Sequence, residues 1–198
     1  MDTKDEILNA TFNLFAEKGY NTSMSDIAKK VGIKVPSIYS HFQNKDELIW
    51  LVMTQEISCF FDNLNDQIII LDKASEDSET KLKTFCFTVF TYYSKPERIR
   101  FWKSISLIYN QELREKCRQI VKENEMKMAV SLKNIFVKGK NKGEIKFESL
   151  EGSVFLFIAM INGVLDSILL YSETNNKISE LENYKNIIWQ AYWNGIKA

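Results

Sequence analysis

The segment 23-SMSDIAKKVGIKVPSIYSHFQNK-45 describes two short helices joined by a tight turn. Ser23 and Asp26 have the spacing of a capping box, in which an N-cap hydroxyl and an N3 carboxylate each satisfy the other residue's backbone N–H. Ile27, Ala28 and Val31 give the first helix one apolar side. Gly32 ends it where the backbone turns left-handed, a conformation glycine adopts without a Cβ penalty. Ile33 is expected to turn inward and plug the turn. The second helix opens at Val35-Pro36, where proline is tolerated because a first-turn N–H has no intrahelical acceptor. Ile38 and Phe42, four residues apart, face inward. Lys34, Val35, Ser37, Ser40 and His41 are left outward, with Tyr39 between the two faces. A short helix with small and polar groups outward, presented by a preceding helix and a glycine turn, is helix-turn-helix geometry.

Charge in the segment agrees with a nucleic-acid partner. Lys29, Lys30, Lys34 and Lys45 stand between Ile27 and Lys45, and no Asp or Glu does. Lysines around a groove-facing helix neutralise phosphates and release counterions. A solvated helix end has the same composition, so the lysines alone do not decide. The segment has no arginine, which removes the bidentate arginine–guanine contact, the commonest specific readout. Base discrimination then falls to Lys34, Ser37 and Ser40, with Val35 or Pro36 against thymine methyls.

Upstream, Thr3 to Lys18 forms a first helix with Ile7, Ala10, Leu14 and Phe15 on one face, flanked by Leu8 and Phe12. Thr3 with Glu6 has capping-box spacing, and Gly19 stops the helix. The stretches ILNATFNLFAEKGY, TSMSDIAKKVGI and VPSIYSHFQNKDELIWLV together resemble the N-terminal domain of the TetR family of bacterial transcriptional repressors. The resemblance covers about the first fifty residues. It rests most on Ile38-Tyr39-Ser40-His41-Phe42 followed by Lys45. It implies that Tyr39, His41 and Lys45 touch DNA phosphates and that Lys34 to Ser40, Pro36 included, supply the base-facing positions. The chain departs from the family at position 34, where a small N-capping residue is common and lysine stands instead. Each residue also has a plain structural reading: Tyr39 packed on the flank, His41 a satisfied structural group, Lys45 a first-turn surface residue of the next helix.

The whole chain, 198 residues, is 45% hydrophobic with only 7 Gly and 2 Pro, and alternating strand signatures are nearly absent. This composition predicts an all-α protein with long helices. The 26 basic and 26 acidic residues cancel, which argues against a generally basic surface while allowing a local patch. Cys59, Cys86 and Cys117 are odd in number and lack CxxC spacing, so neither a disulfide framework nor a metal site is expected, and they read as reduced thiols of a cytoplasmic protein. The N-terminus, MDTKDEILNA, has no apolar core of a signal peptide. Val154 to Tyr171 is barely long enough to span a membrane and carries Asn162 and Asp166, which favours a helix buried in a bundle.

The organisation expected is a helix-turn-helix DNA-binding domain over residues 1–46 and a helical ligand-sensing and dimerisation domain over 47–198, about nine helices in all. Asn44 caps a helix running toward Phe60-Phe61 and joining reader to body. Ser75 to Ser78 is a loop. Helices follow over 79–94, 96–108 and 111–138, then a turn at Gly139–Gly143. The last two helices are expected over 150–171 and 179–196. The first of these is apolar nearly all round. The second carries Leu181, Tyr184, Ile187, Ile188, Ala191, Tyr192 and Trp193 on its apolar side. A helix apolar on every side needs partners on more than one face. In the TetR-like arrangement these two helices pair with their copies, giving a homodimer suited to a palindromic operator. The resemblance also implies a small-molecule effector. Candidate lining residues are Phe85, Phe90, Trp102, Tyr109, Phe155, Met160, Asn162 and Asp166, although aromatics at helical spacing are more often core. Asn162 and Asp166 share a face, and buried polar groups need partners, whether within the chain, from a second copy or from a ligand. The sum is an effector-responsive DNA-binding repressor without a cofactor. A body that binds another protein, with DNA as its anchor, is the second reading. Catalysis is disfavoured: the single histidine lies in the DNA-reading segment, and neither a glycine-rich phosphate loop nor HExxH occurs.

Overall fold

The computed structural model describes residues 2–171 and 177–198, with side chains described outside 168–183. Nine α-helices are found among them: α1 (Thr3–Lys18), α2 (Met24–Val31), α3 (Val35–Tyr39), α4 (Lys45–Lys73), α5 (Ser78–Tyr92), α6 (Pro96–Ser104), α7 (Gln111–Asn141), α8 (Leu150–Tyr171) and α9 (Lys177–Ile196). Short 3-10 turns follow α1 and α6. The described residues hold no strand, only one isolated antiparallel bridge between Ile145 and Lys197. The expected Leu181 on α9 lies outside the described side chains.

The chain divides into two compact units, Met1–Cys59 with Glu97–Glu123, and Phe60–Pro96 with Asn124–Ala198. In the first, α1 turns Ile7, Leu14 and Phe15 inward, and both Phe12 and Phe15 pack on Phe101, at ring-centroid distances of 4.7 and 5.6 Å. Ile27, Ile38, Phe42 and Leu48 complete a dry centre beneath α2 and α3. α1 does not use its expected capping box. Its N-cap is Asp2, which makes no side-chain cap, because the helix already begins at Thr3 with the Glu6 N–H bonded to the Asp2 carbonyl.

The second unit is built on an aromatic centre in which Phe157 contacts Phe85, Phe136 and Tyr192. Lys81, almost wholly buried, bonds to Asp72 at 2.7 Å, and this hydrogen bond is the chief cause holding the Asp72 carboxyl below the usual carboxylate range. Gly139 was expected in a turn but lies within α7. A Cβ there would stand 2.4 Å from Ser78 Oγ and 2.7 Å from Ile145 Cδ1, so glycine is required by close approach. The helix ends beyond it, and Gly143, at φ +73°, makes the turn.

α8 is covered on one face only. Its first 18 residues, Leu150–Ser167, have a mean hydropathy of 1.4, long and apolar enough to cross a membrane by length and composition, and only 17% of them are buried in a single chain. The expected all-round burial is therefore not supplied by this chain. Val154, Phe157, Ile161 and Leu165 face inward at helical spacing, while Phe155, Leu156, Ala159 and Gly163 are exposed. On α9, Trp189 and Trp193 are buried, and Tyr184, Ile187 and Ala191 are exposed.

Candidate nucleic-acid interface

The α2–α3 segment is held by local chemistry. The Ser23 hydroxyl accepts from the Asp26 N–H at 3.1 Å, and the Asp26 carboxylate accepts from the Ser23 N–H at 3.1 Å. This is the expected capping box, complete. Hydrogen bonding from the Ser23 side chain, then from Lys18 at 3.2 Å, keeps the Asp26 carboxyl below its ordinary range. Gly32 closes α2 at φ +80°, and the Gly32 and Ile33 N–H groups both donate to the Ala28 carbonyl. Ile33 is half-buried.

α3 spans five residues and starts from Lys34 in extended conformation, with no side-chain cap. The lysine that replaces a small capping residue thus leaves the helix start uncapped and its own ammonium in solvent. Ile38 and Phe42 are buried and pin the helix from beneath. On the opposite side Lys34, Pro36, Ser37, Tyr39, Ser40 and His41 are exposed and Val35 is half-buried. These predicted contacts therefore form one continuous face. The Ser40 hydroxyl donates to the Ser37 carbonyl at 2.7 Å, so its oxygen faces solvent as an acceptor. Lys29 and Lys30, at the end of α2, are exposed as well.

Lys45 is placed differently from the rest. Its Nζ donates to the Tyr20 carbonyl at 2.8 Å and lies 3.8 Å from the centroid of the Tyr20 ring. The Tyr20 hydroxyl in turn donates to Asp46 at 2.5 Å, and Asn110 donates to the same carboxylate at 2.6 Å. Burial, and then the Asp46 bond, push the Tyr20 phenol up to about 12. The sequence reading missed this polar knot of Tyr20, Lys45, Asp46 and Asn110. Its long-range members are 26 and 64 residues from Asp46, and no local periodicity joins them. The knot borders a cavity of about 320 Å³ whose lining includes Asn44, Asp46, Glu47, Trp50 and Asn110.

None of the candidate effector-lining residues borders that cavity. Trp102, half-buried, and Tyr109, exposed, belong to the first unit. In the second unit Phe85 and Phe90 are buried and Met160 is half-buried. Phe155, Asn162 and Asp166 lie on the exposed side of α8. Helical spacing puts 155, 159, 162 and 166 on one side and 154, 157, 161 and 165 on the other. Asn162 and Asp166 therefore share a face, as expected, but not the face that packs on Phe85. Among the described residues no group of three or more His, Cys, Asp or Glu forms a metal site.

Residues 7–50, which contain the capping box, the glycine turn and the pinned α3, match the family model of bacterial regulatory proteins, tetR family. Over this stretch the chain is similar to the TetR family. Among similar proteins, the biofilm operon icaADBC HTH-type negative transcriptional regulator IcaR of Staphylococcus aureus is 36% identical over 104 residues, 52% of this chain. The matched stretch spans about half, 53%, of IcaR's own length. The fatty acid metabolism regulator protein of Bacillus subtilis is 26% identical over 96% of this chain and 94% of its own. The crystal structure of the regulator FadR from Bacillus subtilis, in complex with stearoyl-CoA, superposes with a TM-score of 0.72 at 19% identity, over 96% of this chain and 98% of that one. The two chains share one all-helical fold.

Proposed function

We propose that this chain is a TetR-family transcriptional repressor that binds a palindromic operator as a homodimer and releases it when a small molecule occupies its body. The observation that carries the reading is the exposed face Lys34–His41, fixed from beneath by Ile38 and Phe42 and set in a segment without a carboxylate between Ile27 and Lys45. Residues 1–46 are the DNA-binding part and 47–198 the sensing and dimerising part. Lys34, Tyr39 and His41 take phosphates, together with Lys45 once it leaves Tyr20. Val35, Pro36, Ser37 and Ser40 meet base edges. The exposed apolar side of α8 and α9 meets its copy across a two-fold axis, which covers Phe155, Leu156 and Ile187 and sets two reading helices about one DNA turn apart. The protein works in the cytoplasm, where its operator lies, and performs no catalysis. The relative bound to stearoyl-CoA favours an apolar effector, which acts by preferring one of two body conformations.

Fluorescence anisotropy on a duplex selected from a random pool tests the reading. A Lys34→Ala, Tyr39→Ala variant is expected to lose tenfold or more in affinity. Its salt dependence is expected to flatten by about one unit of slope, for the lysine charge removed. Ser37→Ala is expected to relax preference at one base position by about 1–3 kcal/mol. Lys34 is a cleaner probe than Lys45, because changing Lys45 also cuts its tie to Tyr20. Unchanged affinity and slope in the double variant would sink the assignment.

A further inference from the structure

Lys45 and Asp46 stand side by side in the first turn of α4 with opposite charges, and neither takes the other as a partner among the described residues. Lys45 Nζ donates to the Tyr20 carbonyl at 2.8 Å and lies over the Tyr20 ring, 3.8 Å from its centroid. The two Asp46 oxygens are divided: one accepts from the Tyr20 hydroxyl at 2.5 Å, the other from the Asn110 side-chain N–H at 2.6 Å. Adjacent positions on a helix do not face each other. Tyr20 nevertheless brings both heads to one ring, the ammonium on its face and the carboxylate at its hydroxyl. Glu47, the other acid of this turn, accepts from the Gln43 N–H at 2.5 Å. Both carboxylates beside Lys45 are thus held by neutral donors, and Lys45 is held by neutral partners. That choice matters for a lysine destined for phosphate. A carbonyl and a ring yield an ammonium to a full negative charge, because a hydrogen bond between ions is roughly twice as strong as a neutral one. A carboxylate would compete with the phosphate on similar terms, and a lysine neutralised by its own neighbour displaces fewer counterions from DNA.

We propose that Tyr20 and Asn110 are positioning residues for DNA binding: by occupying the Asp46 carboxylate they keep it from neutralising Lys45, which stays exchangeable for a phosphate. The proposal rests on the reading of Lys45 as a phosphate contact. Asn110 has a second task, since its side-chain oxygen caps α7 at the Leu113 N–H, 3.1 Å away, so one residue fixes the start of α7 and the first turn of α4 together. Fluorescence anisotropy of the full chain on its selected duplex, over a series of salt concentrations, tests the proposal. Tyr20→Phe keeps the ring and the carbonyl that hold Lys45 and drops only the donor to Asp46. It is expected to bind about fivefold more weakly, with the salt dependence flattened by about one unit of slope for each lysine withheld from a phosphate. Adding Asp46→Asn removes the competing charge and is expected to restore both affinity and slope. Asn110→Ser, which leaves α7 a good N-cap residue, is expected to show the same loss and the same recovery. If Tyr20→Phe and Asn110→Ser bind as the unaltered protein does while Lys45→Ala binds more weakly, the proposal is overturned and the phosphate contact stands. A loss that Asp46→Asn does not restore overturns it as well, since the knot then serves only as scaffolding. Unchanged affinity and slope in Lys45→Ala remove the phosphate contact itself and the proposal with it.

Discussion

In α3, Ile38 and the nearby Phe42 hold down a helix whose other side is Lys34, Pro36, Ser37, Tyr39, Ser40 and His41. In α8, Val154, Phe157, Ile161 and Leu165 hold down a helix whose other side includes Phe155, Leu156 and Ala159. Both are pinned from one side, and both present the other. The polar face is at home in water. The apolar face is not, and large exposed apolar patches mark interaction sites. α3 is complete in a single chain, with its preceding cap and turn satisfied by neighbours in sequence. α8 is complete only with something laid against it.

The largest expected effect comes from breaking that second half of the comparison. Phe155 and Ile187 are 73% and 61% exposed, so Phe155→Asp with Ile187→Asp costs the single chain little. Across a dimer interface the same pair buries two charges against apolar neighbours. Truncating a central anchor alone costs about 2 kcal/mol or more, and the double change is expected to raise the dimer dissociation constant by at least a hundredfold. Sedimentation should find a monomer with unchanged helicity, and operator affinity should fall with dimerisation. A variant that remains a dimer at micromolar concentration would move the interface away from α8 and α9.

What could be read from the sequence follows the same division. The Ser23–Asp26 box, the Gly32 turn, the Pro36 start and the inward Ile38 and Phe42 are all fixed by residues within a few positions of one another, and the structure has each of them. The helical outline of the body was readable from spacing, including α8 at 150–171. Which residues meet across the body was not. Gly139 looked like punctuation, although its reason is Ser78, far away in sequence. Lys45 read as a phosphate contact or as a first-turn surface residue of the next helix; it does open α4, and its ammonium is held by the Tyr20 carbonyl. Asn162 and Asp166 were read as buried because α8 is so apolar, and they turned out to lie with Phe155 on the exposed side. Periodicity gives faces, and it does not say which face another element will cover.

Gly139→Ala sharpens the point at intermediate size, because local and tertiary effects have opposite signs there. In an exposed helix interior the change gains up to about 1 kcal/mol. Here the new methyl meets Ser78 and Ile145, both buried, and overpacking of this kind costs about 1–3 kcal/mol. The net expectation is a destabilised protein, seen as a lower denaturation midpoint at unchanged slope. A gain in stability would return Gly139 to the role of a misplaced turn residue.

The smallest effect expected is at the cap itself. Ser23→Ala removes the hydroxyl that accepts the Asp26 N–H, at about 1 kcal/mol, or roughly 2–4 °C in melting temperature for a chain of this size. It also removes the chief cause of the lowered Asp26 pKa, which gives the change a second, independent signature. A carboxyl whose folded pKa is depressed contributes stability that is fully present above its unfolded value and is lost as pH falls through the folded one. In the unaltered protein part of the acid sensitivity below about pH 4 therefore belongs to Asp26. In Ser23→Ala that part should shrink, so the two proteins should differ in stability at neutral pH and converge in acid. Parallel curves across that range would mean that the cap acts only through the Asp26 N–H and that the bond from the Ser23 hydroxyl to the Asp26 carboxylate, 2.8 Å long, adds nothing to the module that presents α3.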